Sequence, residues 1–433
     1  MTNIKLQPPN EAFLHFIWQH QYYDSFQLST TAGEEVKVIR TGLLNSDSGP
    51  DFSEAKVRIG KVLWTGSIEI HLKASEWDSH NHRNDAAYNN VILHVVWEED
   101  KSVLRKDGTS LPTIELKGRV KDSLLNKGTN LLKNISIVPC SNSLWNVPDI
   151  IKIQAIENSF FARLRWRATL ALDRLKQLNH DWEQLACEML FQNFGLKVNK
   201  EPFNILASSI PYKILYRHND RIDQLEALLF GQAGLLNKSA SEDYQRHLNR
   251  EYKFLKRKYS LTQRVQRENW KFMRMRPPSF PTFRIAQLAG VLHKNKTLFR
   301  NLISIEGKKE LIDIFDIKLS DYWHNHFLFG RKTSKQKKGI GKDMLNSLAI
   351  NTVSVLQMAY GIYKDDQDKI DKMLQAMTEI PAENNAIIRM WKESGIKSIN
   401  AVDTQGLIEL FNNRCKVKMC LNCPIGKEII CNG

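Results

Sequence analysis

At 433 residues, with 42% hydrophobic side chains and a formal charge of +15, the chain is too apolar to be disordered and long enough for two or three domains. No apolar run approaches the roughly 18 residues of a membrane span, and the first residues lack the charged and apolar regions of a secretory signal, so a cytoplasmic protein with no membrane association is expected. The positive balance points to an anionic partner, with nucleic acid the first candidate.

Taken in chain order, Glu11 to Tyr23 spaces Phe13, Phe16 and Ile17 as one face of a helix after a Pro-Pro-Asn start. Glu35 to Arg40 alternates like a strand. Asn45 to Lys73 then holds two half-buried strands joined around Gly60-Lys61, with Val57 and Ile59 on the first and Ile68 and Ile70 on the second. Asp51 precedes the first of these strands and Glu69 lies inside the second. A carboxylate on a strand facing a core is costly unless it is paired, hydrogen-bonded or bound to a cation, and two together suggest a divalent-metal site. Ordinary structure is the rival account: Asp51 as a turn cap, Glu69 paired with Lys56 or Arg58, Glu11 as a first-turn helix acid. Ser75 to Asn90 is a polar loop with a short helix, carrying the further ligand candidates His80, His82 and Asp85. Val91 to Trp97 is apolar except for His94, as in a strand covered on both faces. Shorter strand-like runs follow at 102–104 and 113–116.

Helix, three strands, short helix, strand, with Glu11 on the first helix, Asp51 in Gly-Pro-Asp-Phe and Glu69-Ile70-His71 on the third strand, resembles the core of the PD-(D/E)xK nuclease superfamily. The resemblance implies a restriction-endonuclease-like fold in which Asp51 and Glu69 bind magnesium or manganese and a lysine two residues after the glutamate helps position the attacking water. His71 occupies that lysine position, a departure, and Lys73 on the same strand face is the candidate to substitute for it. A rival chemistry reads His80, His82, Asp85 and His94, with His71, as a zinc site or as groups surrounding the acidic pair. Over nearly its whole length, through GPDFSEAKVRIG, WTGSIEIH, LEALLFGQAG and the RMRPPSFPTFRIAQLA stretch, the chain is also similar to an uncharacterised bacterial family, the domain-of-unknown-function family 2851.

From about Asp149 the pattern is helical, with Arg163, Arg165, Arg167 and Arg174 between apolar residues and Gly195, Gly231 and Gly234 as stops. Arg246 to Arg276 holds eleven Lys or Arg against two acids, with Tyr252, Phe254, Tyr259, Trp270 and Phe272 interleaved. Arg257, Lys258, Arg264, Arg267, Lys271, Arg274 and Arg276 are therefore candidates for nucleic-acid contact, with the aromatics either stacking on bases or filling a core. Lys335, Lys337 and Lys338 extend the basic surface ahead of a helix at 344–363. In the tail, Cys415, Cys420, Cys423 and Cys431 give C-x4-C-x2-C-x7-C, thiolates suited to a [4Fe-4S] cluster or to zinc, whereas Cys140 and Cys187 read as structural.

The expected fold is α+β: a nuclease-like domain of mixed sheet over 1–148, a basic helical domain over 149–330, and a helical C-terminal region over 331–433. The expected function is metal-dependent hydrolysis of nucleic acid, DNA ahead of RNA. The alternatives are a non-catalytic nucleic-acid-binding or scaffold protein with a structural cysteine site, and a zinc-dependent hydrolase of a small molecule.

Overall fold

The computed structural model describes residues 8–45, 47–237, 242–262, 265–334 and 339–432, so that Arg264, Lys335, Lys337 and Lys338 lie outside the described residues. The fold is α+β, a mixed sheet followed by a mainly helical region. The chain divides into two units, Met1–Ala155 with Met390–Ile396 and Leu410–Gly433, and Ile156–Arg389 with Lys397–Glu409. The cysteine tail therefore folds with the N-terminal sheet. Among the described residues no helix is long and apolar enough to cross a membrane.

The first unit is built on a sheet of β1 (Val36–Arg40), β2 (Leu43–Leu44), β3 (Phe52–Ile59), β4 (Val62–Lys73), β5 (Val91–Glu98) and β6 (Thr113–Glu115), in the order β1-β3-β4-β5-β6 with β2 on β3. β3 and β4 form the expected antiparallel hairpin, whereas β4, β5 and β6 run parallel. A parallel pair needs a crossover of a dozen or more residues, because the chain must return to the starting end of the sheet. Here the polar stretch between Lys73 and Val91 makes that return, and so carries His80 and His82 back across the face that bears Glu69 and His71. The 102–104 run forms no strand, only an isolated bridge from Leu104 to Ser110.

Helix α1 (Glu11–Gln19) starts on Asn10, whose side chain accepts from the Phe13 N–H, and buries Phe13, Leu14, Phe16, Ile17 and Trp18. It packs on β4. The helix Asp122–Lys133 meets α1 at Gly128, where a Cβ would stand 2.1 Å from the Phe13 ring. That close approach explains a glycine in mid-helix.

The second unit is helical around a core that includes Leu190, Phe191, Leu228, Phe230, Leu288 and Trp323, all fully buried. Gly231 is no helix stop; it lies inside Ile222–Gln232, where any side chain would strike the Tyr252 ring. The interleaved aromatics are mostly structural. Trp270 is buried and donates its indole N–H to the Ala233 carbonyl at 2.8 Å, Tyr259 bonds His218, and of the five aromatics Phe254 alone is largely exposed. Arg257, Lys258, Arg267, Lys271, Arg274 and Arg276 are all exposed.

Candidate metal centre

The antiparallel register sets Phe52 opposite Ile68, which brings Asp51 beside Glu69. A bulge follows between Phe52 and Ala55, with Glu54 at φ +56°, and turns the chain out of the regular ladder. Two hydrogen bonds lock the acidic pair: the Asp51 N–H donates to Glu69 Oε2 at 3.1 Å, and the Ile70 N–H donates to Asp51 Oδ2 at 2.8 Å. From α1, His15 Nε2 lies 3.3 Å from Asp51 Oδ2 and 3.8 Å from Glu11 Oε1.

On the other side, Glu69 Oε1 is 3.3 Å from His82 Nε2 and 3.5 Å from His71 Nε2. The Glu69 carboxylate thus stands between two groups of ligands. Glu11, His15 and Asp51 form one and His71, His80 and His82 the other, and within each the donor atoms lie inside 4.8 Å of one another. His94, opposite Glu69 in the parallel register, contacts His71 Nδ1 through Nε2 at 2.8 Å. Tyr88 stacks on His82 at 3.8 Å and Trp77 meets it edge-on.

Burial sets the electrostatics. Glu69, 4% exposed, is pushed up to about 9 by desolvation and by the Asp51 carboxylate, with Glu11 adding to it. Burial also lifts Glu11, helped by Asp51. His71 is pushed down to about 3 by desolvation and by His82 and His80, and His94 lies well below its ordinary value for the same reason, with His71 next in effect. These two imidazoles are therefore neutral at neutral pH. Three carboxylates crowd together, and among the described residues no lysine or arginine shares these contacts. His15 Nε2 and His82 Nε2 are buried and complete no hydrogen bond, although each faces a carboxylate 3.3 Å away. Orphaned ring nitrogens aimed at crowded carboxylates fit a divalent cation, since it would satisfy both at once. A cleft of about 470 Å³, lined by His15, Phe16, His20, Leu44, Cys423 and Lys427 among others, opens beside α1.

Of the residues expected from the sequence, Glu11, Asp51, Glu69, His71, His80 and His82 come together. Glu69 does not pair across the hairpin with Lys56, which faces Thr65. Lys73 is exposed at the end of β4, its N–H bonded to Glu76, and is not brought to the acids. Asp85 caps the short turn that follows it by accepting from the Ala87 N–H. His94 stands behind His71 rather than in the ligand group. His15 is the residue that sequence reading missed, and its signal was the i, i+4 spacing from Glu11 on one helix face. In the tail, Cys431 stands at the far end of helix Pro424–Cys431 from Cys423, where Tyr22 acts on its thiol. Cys140, not Cys431, neighbours the other three thiols.

The family described as "Protein of unknown function (DUF2851)" matches residues 11–386. No curated protein and no solved structure matches the chain.

Proposed function

The chain belongs to the DUF2851 family, and for it we propose metal-dependent hydrolysis of phosphodiesters in nucleic acid, DNA ahead of RNA, at the centre formed around Asp51 and Glu69. The observation that carries this reading is the buried Glu69 carboxylate held between an acidic group and an imidazole group, with unsatisfied ring nitrogens on both sides. Asp51, Glu69 and Glu11 supply oxygen ligands, and His15, His71, His80 and His82 supply nitrogen. This mixed set suits manganese or zinc at least as well as magnesium, which prefers oxygen and water. A divalent cation bound there polarises a phosphodiester oxygen and lowers the pKa of a bound water.

The protein's own groups divide the remaining work. Asp51 and Glu69 are fixed by the two backbone hydrogen bonds, so their oxygens need no reorganisation. With the His71 proton on Nδ1 and donated to His94, His71 Nε2 keeps a lone pair to ligate or to accept a proton, where a lysine would donate one. The cleft beside α1 gives a phosphate access to His15, and Lys427 on its wall supplies positive charge. The order of helix and strands, with acids at neighbouring positions of β3 and β4, adds support through its similarity to the PD-(D/E)xK core. The exposed arginines and lysines between 257 and 276 fit the anionic substrate.

Cleavage of single-stranded, duplex and branched DNA with magnesium, manganese or zinc tests the reading. The wild-type chain is expected to cut at least one of them, and the paired Asp51→Ala, Glu69→Ala variant to cut none. Equal activity of the two proteins contradicts it. The trio His71, His80 and His82 favours a second reading, zinc-dependent hydrolysis of a small molecule. Zinc retained through purification, together with loss of that zinc but no change in DNA cleavage in His80→Ala, would select it.

A further inference from the structure

We propose that Cys140, Cys415, Cys420 and Cys423, and not Cys431, hold a four-iron iron–sulfur cluster that ties the tail to the segment after helix Asp122–Lys133. Such a cluster is independent of the phosphodiester chemistry.

Cys431 stands apart from the other three tail cysteines. Cys423 caps the N-terminus of Pro424–Cys431 and Cys431 is its last residue, so at about 1.5 Å rise per residue the two Cα atoms are some 12 Å apart. One zinc with sulfurs at about 2.3 Å spans at most about 4.6 Å between them, too little for Cys423 and Cys431 even with both side chains outstretched, and the groups that act on Cys431 are Tyr22, Lys427, Glu428 and Lys127 rather than another thiol. The other three tail thiols are buried, each 7% exposed, and Cys140 is buried to the same degree. All are unpaired as disulfides. They gather in one place. Burial raises Cys415, and Cys140, Cys423 and Cys420 each add to it; burial likewise raises Cys140, with Cys423 and Cys420 adding. The last helix packs against the turn Ser141–Asn146 that begins right after Cys140, which is how a cysteine so far up the chain reaches the tail.

Burial raises Cys423 and Cys420, and their surroundings work against it: the backbone N–H groups of Gly426 and Ile425 and the Arg414 charge favour the Cys423 thiolate, and Lys418 favours that of Cys420. Hydrogen bonds to sulfur of this kind are one means by which a protein tunes a cluster. Gly426 is required by the packing, since a Cβ there would lie 2.2 Å from the Cys420 carbonyl oxygen; the C-x2-C turn is pressed directly onto the helix start. Among the described residues, the ligand sets whose donor atoms all fall within 4.8 Å of one another include no cysteine. The four sulfurs are thus spaced more widely than one zinc holds them, which favours iron and sulfide.

The test is the full chain purified without oxygen, assayed for iron, acid-labile sulfide, zinc and the visible absorption of an iron–sulfur chromophore. About four irons and four sulfides per chain are expected. Cys140→Ser should lose most of both with the absorption, and Cys431→Ser should keep them. Zinc without sulfide, or loss in Cys431→Ser with retention in Cys140→Ser, overturns the assignment. If Cys140→Ser does not fold, thiol alkylation of the wild-type chain decides: Cys140 should become reactive with Cys415, Cys420 and Cys423 when iron is chelated, while Cys431 reacts regardless. Labelling of Cys140 that ignores the chelator contradicts the proposal.

Discussion

Glu69 is the residue on which the centre turns, and its proton makes the site pH-dependent. Its folded-state value of about 9 stands above the ordinary 4.5, so without a cation the folded chain keeps a proton there that the unfolded chain has released. Stability from this group is present below the unfolded value and lost as pH rises through the folded one. His71 runs the other way, because it is lowered from 6.5 to about 3. The unfolded chain binds that proton first, so its contribution is lost as pH falls from 6.5 towards 3. A divalent cation replaces the Glu69 proton and relieves the first effect alone. The rise in melting temperature on adding manganese should therefore be larger at about pH 8 than at about pH 6; an equal or smaller shift at the higher pH contradicts the ligand role of Glu69. His15→Ala removes a ring nitrogen that faces both Asp51 and Glu11. It should weaken manganese binding on the order of ten- to a hundredfold in a calorimetric titration while leaving the far-ultraviolet circular dichroism unchanged. Unchanged affinity would assign His15 to packing.

At the scale of elements, the centre is a product of register and crossover. The alternation in 52–73 was legible because one face of a hairpin is buried and the other is not, and it identified Asp51 and Glu69 as neighbours. The histidines were legible as a candidate group, but not which of them meet: that His71, His80 and His82 converge while His94 stands behind depends on the parallel placing of β4 and β5, which a run of apolar residues does not reveal. His15 was hidden for a similar reason. It sits among Phe13, Phe16 and Ile17 in a helix whose signal was its apolar face, and only the packing of α1 on β4 turns it towards Asp51. On α1 the Phe13 ring is met closely by Gly128 of helix Asp122–Lys133. Gly128→Ala forces the Phe13 ring to move and should cost about 1–3 kcal/mol of stability, with weaker manganese binding because α1 carries Glu11 and His15. By contrast, Gly339, with nothing within 4 Å of its Cβ position, should accept alanine with an unchanged melting temperature. A silent Gly128→Ala would show that α1 is not held as described.

Across the whole molecule, the formal charge of +15 and the exposed basic residues of the second unit set the expected behaviour towards nucleic acid. Binding should weaken steeply with salt, and replacing Arg257, Lys258, Arg274 and Arg276 with glutamine should lower the slope of log K against log salt by roughly one for each phosphate that is no longer neutralised. An unchanged slope places the binding surface elsewhere. The α+β class was legible from the change of pattern near Asp149, but the grouping of the tail with the first unit was not. The tail returns to the first unit by packing against segments far away in the sequence, and spacing within the tail alone suggested Cys431 where the cluster we propose takes Cys140. Spacing reports what is near along the chain; a helix of eight residues is enough to separate two cysteines that it makes look like partners.

If the buried carboxylate between β3 and β5 works with a cation to cut phosphodiesters, Glu69→Gln is the most direct test, because the amide keeps shape and removes charge. Manganese-dependent cleavage of DNA by the wild-type chain should fall by about a hundredfold or more in this variant, together with its manganese affinity, while folding is retained. Cleavage and affinity equal to those of the wild type would contradict that role for Glu69 and the metal centre with it.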